Sequence, residues 1–469
     1  MTAGVAAAVA ATSFPVVDPR TGEVLERVAM LPAGEVARVV STAVAANERW
    51  AGTPLAERCA LVERLADELA ADVEVVARAF SREHGKTLIE ARTELERATD
   101  ALRWSARAAL EVARAAALPD RDGLVRSVTV EPGGPVLAIV PWNFPAVVLA
   151  RKLGPALVMG CPVIVKAAEQ APFVSAAFAR AAGRAGLPPG VVQVVLADPA
   201  VTQELVRRRE LGHVTFTGST RVGRIVAALA AEALTPCTLE LGGHAPAIVL
   251  ADADLDVAVT RLAAAKFGSA GQSCGAPSRF LVERPVHDGL VARLIAAAPA
   301  LEPAARGATG EWVMGPLNNE RRRVEVHALV TDAVERGARL RCGGEVPAGS
   351  GWYYPATVLT EVPLDARVLV EEPFGPVAPV LAFDEIDDAV RVANSTDYAL
   401  AAYVFGGADR AAAIAARLDA GSVSINAAPG AAPDAPLGGR RASGYGYEGG
   451  EQGLLALGRL KIIQAAVES

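Results

Sequence analysis

Cys274 stands in the run Phe267-Gly-Ser-Ala-Gly-Gln-Ser-Cys-Gly-Ala-Pro-Ser-Arg279, and Glu240-Leu-Gly-Gly243 precedes it. A thiol between small residues on a glycine-rich segment is open to another molecule, so it is placed to act as a nucleophile rather than as core filler. Free thiols titrate near ~8.5, which leaves roughly a few per cent as thiolate at neutral pH, and that fraction attacks carbonyl carbon readily. Glu240 is a base for the same site. The alternative for a lone cysteine is a buried, inert side chain.

A carbonyl attacked by a thiolate becomes an oxyanion, and each preorganised donor to it is worth roughly 3 to 4 kcal/mol. Pro141-Trp-Asn-Phe-Pro145 offers the Asn143 amide on a loop stiffened by two prolines. Asn143 can equally cap the helix that follows. A cysteine hydrolase would need a histidine, and the five are His84, His213, His244, His287 and His327. None has a persuasive context; His244 is nearest to the motifs but stands where a strand begins and reads as structural.

A second set of residues speaks for a nucleotide. His213-Val-Thr-Phe-Thr217 reads as a strand running into Gly218-Ser-Thr-Arg-Val-Gly223, which opens an amphipathic helix with Val222, Ile225, Val226 and Leu229 on one face. Unpaired N–H groups and a positive dipole end suit a pyrophosphate, although a glycine in such a turn can serve geometry alone and the pattern is not GxGxxG. Lys166-Ala-Ala-Glu169 follows a neighbouring strand at its carboxyl end, where open α/β sheets bind nucleotides. A carboxylate there accepts both ribose hydroxyls and repels a 2'-phosphate, so NAD is expected over NADP; the alternative is a solvated charge pair.

The elements that must position these residues alternate. Ala33 to Trp50, Leu55 to Leu69 and Val73 to Phe80 carry apolar residues at helical spacing, and the first hundred residues read as helices. Leu-Val-Arg-Ser-Val-Thr-Val, between Leu118 and Pro135, alternates as a strand able to pair with a partner. Strands are then expected at Val136 to Val140, Val163 to Lys166, Val191 to Leu196 and His213 to Thr217, each with a helix, which implies a parallel sheet. A second alternation follows Glu240, with strands at Ala245 to Leu250, Phe280 to Glu283 and near Val358 and Val380. Gly458 to Val467 reads as a final strand.

At 469 residues the chain has room for two or three domains. Its hydrophobic content of 52% is broken by charge, as Arg151 and Lys152 interrupt Ala146 to Val165, so no membrane span is expected. Met1 to Thr12 is alanine-rich without a basic start, which argues against a secretory signal. A net charge of -7 with dispersed Lys and Arg argues against nucleic acid as a partner. Five cysteines without a CxxC pair argue against a disulfide framework or a metal site and for a reducing, cytoplasmic setting.

Seven motifs, in order, resemble the aldehyde dehydrogenase superfamily over nearly the whole chain: Pro141 to Pro145, Lys166 to Glu169, Phe216-Thr-Gly-Ser-Thr220 with Gly223, Glu240 to Gly243, Gly271-Gln-Ser-Cys274, Glu371-Glu-Pro-Phe-Gly-Pro376, and Pro436-Leu-Gly-Gly439 with Ser443-Gly444. The resemblance implies an α/β fold with a Rossmann-like NAD-binding domain (1–117 and 139–242), an α/β catalytic domain (243–442) and a small β oligomerisation element (118–138 and 443–469). A homodimer or homotetramer is implied. So are roles: Cys274 attacks the aldehyde, Asn143 and the Cys274 N–H hold the oxyanion, and Glu240 activates the water that hydrolyses the thioester. Coenzyme A-acylating relatives lack this base, so a free acid is the expected product.

Lys152 and Glu448 match proton-relay positions, with exposed surface charges as the alternative. Lys166, Glu169 and Ser219 match contacts to the adenosine half, and Glu372 with Phe374 contacts to the nicotinamide ribose. Ile139, Val140, Pro141, Trp142, Phe216, Gly218, Val222, Gly223, Leu241 and Gly242 complete the implied cofactor set.

The branch resembled most is that of succinate semialdehyde dehydrogenases, through Glu240-Leu-Gly-Gly-His-Ala-Pro246 and Ser443-Gly-Tyr-Gly-Tyr-Glu-Gly-Gly450. That branch holds the substrate carboxylate with two arginines; Arg151 matches one, and Gly268 stands at the other. Ser269 replaces the usual Asn of the nucleophile loop, which is expected to loosen it, and Leu196-Ala-Asp-Pro199 lacks the usual glycine. Gly268, Leu437 and Ala427 to Ala432 stand where aromatic walls are common, so Phe144, Arg151, Gly268, Ser273, Gly275 and Leu437 are expected to line a wide pocket for a bulky or aromatic aldehyde. Succinate semialdehyde is the alternative substrate, and a fold retained for binding without turnover is the alternative of another class.

Overall fold

The structure is a computed structural model that describes residues 13–113, 116–301, 313–427 and 432–466. Met1 to Thr12 and most of Ala427 to Ala432 lie outside the described residues.

The chain opens with a hairpin, β1 (Ser13–Val17) and β2 (Val24–Ala29), where the sequence reads as helical throughout. Asp18 turns it by accepting from the Arg20 N–H at 2.9 Å, and β2 is mostly exposed, so it shows little apolar alternation. Four helices follow: α1 (Val36–Gly52), α2 (Leu55–Ala71), α3 (Val73–His84) and α4 (Leu88–Val112). Gly85, at φ 93°, stops α3 in the left-handed conformation that glycine tolerates. Thr87 and Glu90 form a capping box that starts α4, whose buried stripe runs Ala91, Leu95, Ala98, Leu102, Ala106 and Ala109.

β3 (Ala116–Arg121) and β4 (Leu124–Pro132) lead into the first parallel sheet, which alternates with helices as β5 (Val136–Ile139), α5 (Pro145–Val158), β6 (Val163–Lys166), α6 (Pro172–Arg184), β7 (Val192–Val195), α7 (Pro199–Val206), β8 (His213–Thr217), α8 (Thr220–Glu232) and β9 (Cys237–Glu240). Both faces of β5 and β6 are buried, which is why they read as short unbroken apolar runs. Two buried acids start helices that they do not belong to: Glu83 accepts from Phe173 (2.8 Å) and Val174 (3.1 Å) at the start of α6, and Glu94 accepts from Ala146 (2.9 Å) at the start of α5. Asp198 caps α7 through the Val201 N–H at 2.8 Å.

The second alternation comprises β10 (Ala245–Val249), α9 (Leu255–Phe267), β11 (Pro277–Glu283), α10 (Arg284–Ala296), α11 (Glu320–Glu335), β12 (Arg339–Cys342), β13 (Thr357–Thr360), β14 (Val377–Phe383), α12 (Ile386–Ala393), β15 (Ala401–Phe405), α13 (Ala408–Ala415) and β16 (Ser422–Ile425). Its sheet runs β12-β13-β14-β11-β10-β15-β16, parallel except for β12. β17 (Gly444–Tyr445) returns antiparallel to β9, so the first sheet runs β17-β9-β8-β5-β6-β7. After α14 (Gly450–Leu455), β18 (Gly458–Ala466) pairs with β4 in a three-stranded sheet, β18-β4-β3. The strand expected to seek a partner thus finds one within its own chain. Among the described residues no helix is long and apolar enough to cross a membrane.

Candidate active site

Cys274 follows the carboxyl end of α9, on a loop held in an unusual shape. After Gly268, Ser269 (φ 49°) and Ala270 (φ 53°) are both left-handed, at a cost of roughly 1–2 kcal/mol each. Ties at both ends offset that strain. The Ser269 N–H donates to Glu90 Oε1 at 2.6 Å, and Gln272 Nε2 donates to the Ser269 carbonyl at 2.9 Å. Gln272 is buried and accepts from the Asn318 N–H at 2.9 Å. Ser269 is therefore anchored through its backbone N–H and carbonyl. Past Cys274, Tyr403 Oη donates to the Gly275 carbonyl at 2.5 Å, and the Gly275 N–H reaches Ser273 Oγ at 3.3 Å.

Asn143 comes from the loop after β5. Its Nδ2 donates to the Gln272 carbonyl at 3.0 Å, which brings the amide onto the loop of Cys274 and leaves a second N–H on the same nitrogen. The capping alternative fails, because α5 has no side-chain cap from Phe144 and its first amides go to Glu94. The Phe144 ring covers Lys86, with Nζ 3.7 Å from the ring centre.

Glu240 ends β9, 4% exposed, with Oε1 lacking a hydrogen-bond partner among the described residues. Burial, then the Glu448 carboxylate, raise its pKa well above the usual carboxylate range, while Lys152 and Arg151 pull the other way. Burial also pushes the Cys274 thiol up to about 12, helped by Glu372 and Glu240 and opposed by the Cys274 and Gly275 N–H groups. Burial thus keeps the Cys274 thiol protonated at neutral pH and disfavours the charged form of Glu240.

Lys152 and Glu448 are not surface charges. They form a buried ion pair, 1% and 5% exposed, with Thr215 as third member: Lys152 Nζ donates to Thr215 Oγ1 at 2.8 Å, and that hydroxyl donates to Glu448 Oε1 at 3.1 Å. Leu437 fixes Glu448 by exchanging backbone bonds of 2.7 and 2.8 Å with it. Arg151 neighbours Lys152 on α5; burial lowers its pKa, and the charges of Glu448, Glu240 and Cys274 oppose that shift, which puts it beside the same cluster.

The residues expected to hold a nucleotide line the ends of the first sheet. Ile139 and Val140 are buried, the Val140 N–H bonds the Lys166 carbonyl at 3.0 Å, and Lys166 pairs with Glu169 at 2.6 Å. Pro141 and Trp142 are half-buried, and the Trp142 ring meets Phe374 edge-on at 5.6 Å. Gly218 has a packing reason: a Cβ there would lie 2.6 Å from the Phe216 ring. Its N–H is taken by the Glu240 carbonyl at 3.0 Å, so the amides left for an anion are those of the first turn of α8, where Ser219 is the cap and accepts from Val222 at 3.4 Å. Gly223 lies tight against Leu241. Glu372 accepts from the Gly243 N–H at 3.1 Å, and a Cβ on Gly242 would come 2.8 Å from its other oxygen. Burial pushes the Glu372 carboxyl up to about 7. The helix start, the strand-end carboxylate and this second carboxylate beyond Gly242 fit the phosphates and two riboses of a dinucleotide.

His244 is structural, its Nδ1 2.7 Å from Ser278 Oγ. All five cysteines are free thiols, and among the described residues no group of three or more His, Cys, Asp or Glu forms a metal site. Sequence reasoning passed over Gln272, Tyr403 and Glu90. Thr87-Leu-Ile-Glu90 is a visible capping-box pattern, but nothing in it points to Ser269.

The aldehyde dehydrogenase family model matches residues 6–463. The chain belongs to the aldehyde dehydrogenase family. This aldehyde dehydrogenase is 42% identical to 4-(hydroxymethyl)benzenesulfonate dehydrogenase of Comamonas testosteroni, over 94% of this chain and 92% of that one. It is 37% identical to 3-sulfolactaldehyde dehydrogenase of Pseudomonas putida, over 94% and 91%. Its fold superposes on succinate-semialdehyde dehydrogenase from Burkholderia pseudomallei with a TM-score of 0.93 and 39% identity, covering 97% and 95% of the two chains. As a member of this family it is an oxidoreductase acting on aldehydes with NAD(P).

Proposed function

We propose that the enzyme oxidises a bulky or aromatic aldehyde that carries an acidic group, releasing the free carboxylic acid. The observation that carries the chemistry is the bond from Asn143 Nδ2 to the carbonyl of Gln272, two residues before Cys274. Cys274 gives its proton to water and its sulfur bonds to the aldehyde carbon; the second Asn143 N–H and the Cys274 backbone N–H receive the oxyanion. When bound, the nicotinamide supplies the acceptor for the hydride that leaves this carbon. Glu240 takes a proton from water, the hydroxide adds to the thioester carbon, and the C–S bond breaks to give acid and thiolate. Lys152, Thr215 and Glu448 form a buried line for passing that proton outward.

Ile139 to Trp142, Phe216, Gly218, Val222, Gly223, Leu241 and Gly242 form the walls of the nucleotide cleft in this reading. Lys166, Glu169 and Ser219 hold the adenosine half, and Glu372 with Phe374 the nicotinamide ribose. Glu169 at the end of β6 favours NAD, because a 2'-phosphate would meet its carboxylate.

Substrate width follows from Gly268, where an added Cβ meets nothing within 4 Å. Phe144, Ser273, Gly275 and Leu437 complete the pocket, and Arg151 is the cation for the acidic group. The relative named for 4-(hydroxymethyl)benzenesulfonate, an aromatic sulfonate, supports this reading. Succinate semialdehyde is the second reading, favoured by Arg151 and the Burkholderia structure. The exposed apolar residues of β18, Leu460 at 72% and Ile462 at 59%, support assembly as a dimer or a dimer of dimers.

The test is nucleotide reduction with sulfonated and carboxylated benzaldehydes and with succinate semialdehyde, using both nucleotides. A higher kcat/KM on the aromatic acids with NAD is expected, and Cys274→Ala should abolish turnover. A higher kcat/KM on succinate semialdehyde would overturn the aromatic reading.

A further inference from the structure

Two loops must keep a fixed distance for the proposed chemistry, the one carrying Asn143 and the one carrying Cys274. They come from different sheets, yet both are tied to one face of α4. Glu90 and Glu94 are one turn apart on that helix, so their side chains share a face. Glu94 accepts from Ala146 at 2.9 Å and Val147 at 3.4 Å through Oε1, while its Oε2 pairs with Lys86. Lys86 in turn lies against the Phe144 ring, next to Asn143.

Glu90 does the equivalent for the other loop. Its Oε2 accepts the Thr87 N–H and hydroxyl, both at 2.9 Å, and its Oε1 accepts the Ser269 N–H at 2.6 Å. The bonded residue is the first of the two left-handed ones, where the backbone would otherwise relax. A charge-assisted bond to the backbone is stronger than a neutral one and fixes direction as well as distance.

We propose that Glu90 is a positioning residue for catalysis: it sets the nucleophile loop from the same helix face on which Glu94 sets the Asn143 loop, so the turn Glu90–Glu94 fixes the placement of Cys274 relative to its oxyanion donor. The inference rests on the proposed roles of Cys274 and Asn143, and the experiment separates the two.

Three variants of the full chain are compared in melting temperature, steady-state kinetics and the rate of Cys274 alkylation by iodoacetamide. Glu90→Leu removes the acceptor for Ser269. Glu90→Gln keeps a carbonyl oxygen for it. Thr87→Ala weakens the helix cap but leaves the Thr87 N–H to hold the Glu90 carboxylate. Expected is a fall of about tenfold to a hundredfold in kcat and in alkylation rate for Glu90→Leu, with KM for the nucleotide unchanged. Glu90→Gln should restore both to within about threefold of the parent, since its carbonyl accepts the same bond. Thr87→Ala should lower only the melting temperature. Parent-like kcat and alkylation in Glu90→Leu, or the same losses in Thr87→Ala, would overturn the proposal. Turnover surviving in Cys274→Ala would instead remove the nucleophile assignment.

Discussion

Gly243 lies against the Cys274 carbonyl so closely that a Cβ on Gly243 would stand 2.1 Å from that oxygen. The turn that leaves Glu240 and the loop that presents Cys274 are therefore in backbone contact. Gly243→Ala has no flexible side chain to displace and must push the two segments apart. A loss of about 100-fold in kcat is expected from a shift on the order of 1 Å, measured by steady-state kinetics beside circular dichroism of the folded variant. Activity near that of the parent would mean that this contact does not set the separation of base and nucleophile.

Glu240→Gln keeps the shape of the site and removes the base. Acylation should persist while hydrolysis slows by roughly 10²- to 10⁴-fold. Rapid mixing should then show one burst of reduced nucleotide per active site, followed by little turnover. The parent's rate should climb with pH above 7, because burial pushes the Cys274 thiol up to about 12 and disfavours the Glu240 carboxylate, and the reactive forms are the deprotonated ones. Unchanged steady-state turnover in Glu240→Gln would remove Glu240 from the mechanism.

Burial pushes the Glu83 carboxyl up to about 8, against the pull of the Phe173 and Val174 N–H groups. The folded form therefore binds a proton that the unfolded chain, with a pKa near ~4.3, gives up. Its contribution is fully present below the unfolded value and is lost as pH rises through about 8. Glu83→Gln removes this dependence, so relative to the parent its melting temperature should gain between pH ~5 and pH ~9, by the equivalent of a few kcal/mol at most. A difference in melting temperature that stays constant with pH would refute the assignment of this slope to Glu83.

Open space at Gly268 makes a gain of function testable. Gly268→Arg supplies the second cation of the dicarboxylate clamp from a position where its Cβ meets nothing within 4 Å. It should raise kcat/KM for succinate semialdehyde by about tenfold or more, as a charged hydrogen bond worth roughly 1.5–3 kcal/mol would. The same change should lower kcat/KM for bulky aromatic aldehydes. Unchanged kcat/KM on both substrates would show that the side chain does not enter the pocket.

Much of this was legible in the residues. The strands Val163–Lys166 and His213–Thr217 are as read, because central parallel strands bury both faces and leave short apolar runs between turn residues. The opening hairpin was not legible, since β2 is mostly exposed and its pattern carries little of the hydrophobic signal. Lys152 and Glu448 could be read either as surface charges or as a relay pair. They stand 296 positions apart, and only the fold could bury them against each other.

The sequence by itself determined the family: a thiol on a glycine-rich loop, an amide, a carboxylate and a glycine turn after a strand stand in the order that names it. Those are local properties, carried by residue type and spacing. The tertiary structure alone decided how they work together. It turned Asn143 from a helix cap into a partner of Gln272, took the Gly218 amide out of reach of a phosphate, and tied the strained Ser269 to Glu90. Each of these is a hydrogen bond between segments far apart in the chain, where backbone donors and carboxylates must find partners once water is excluded.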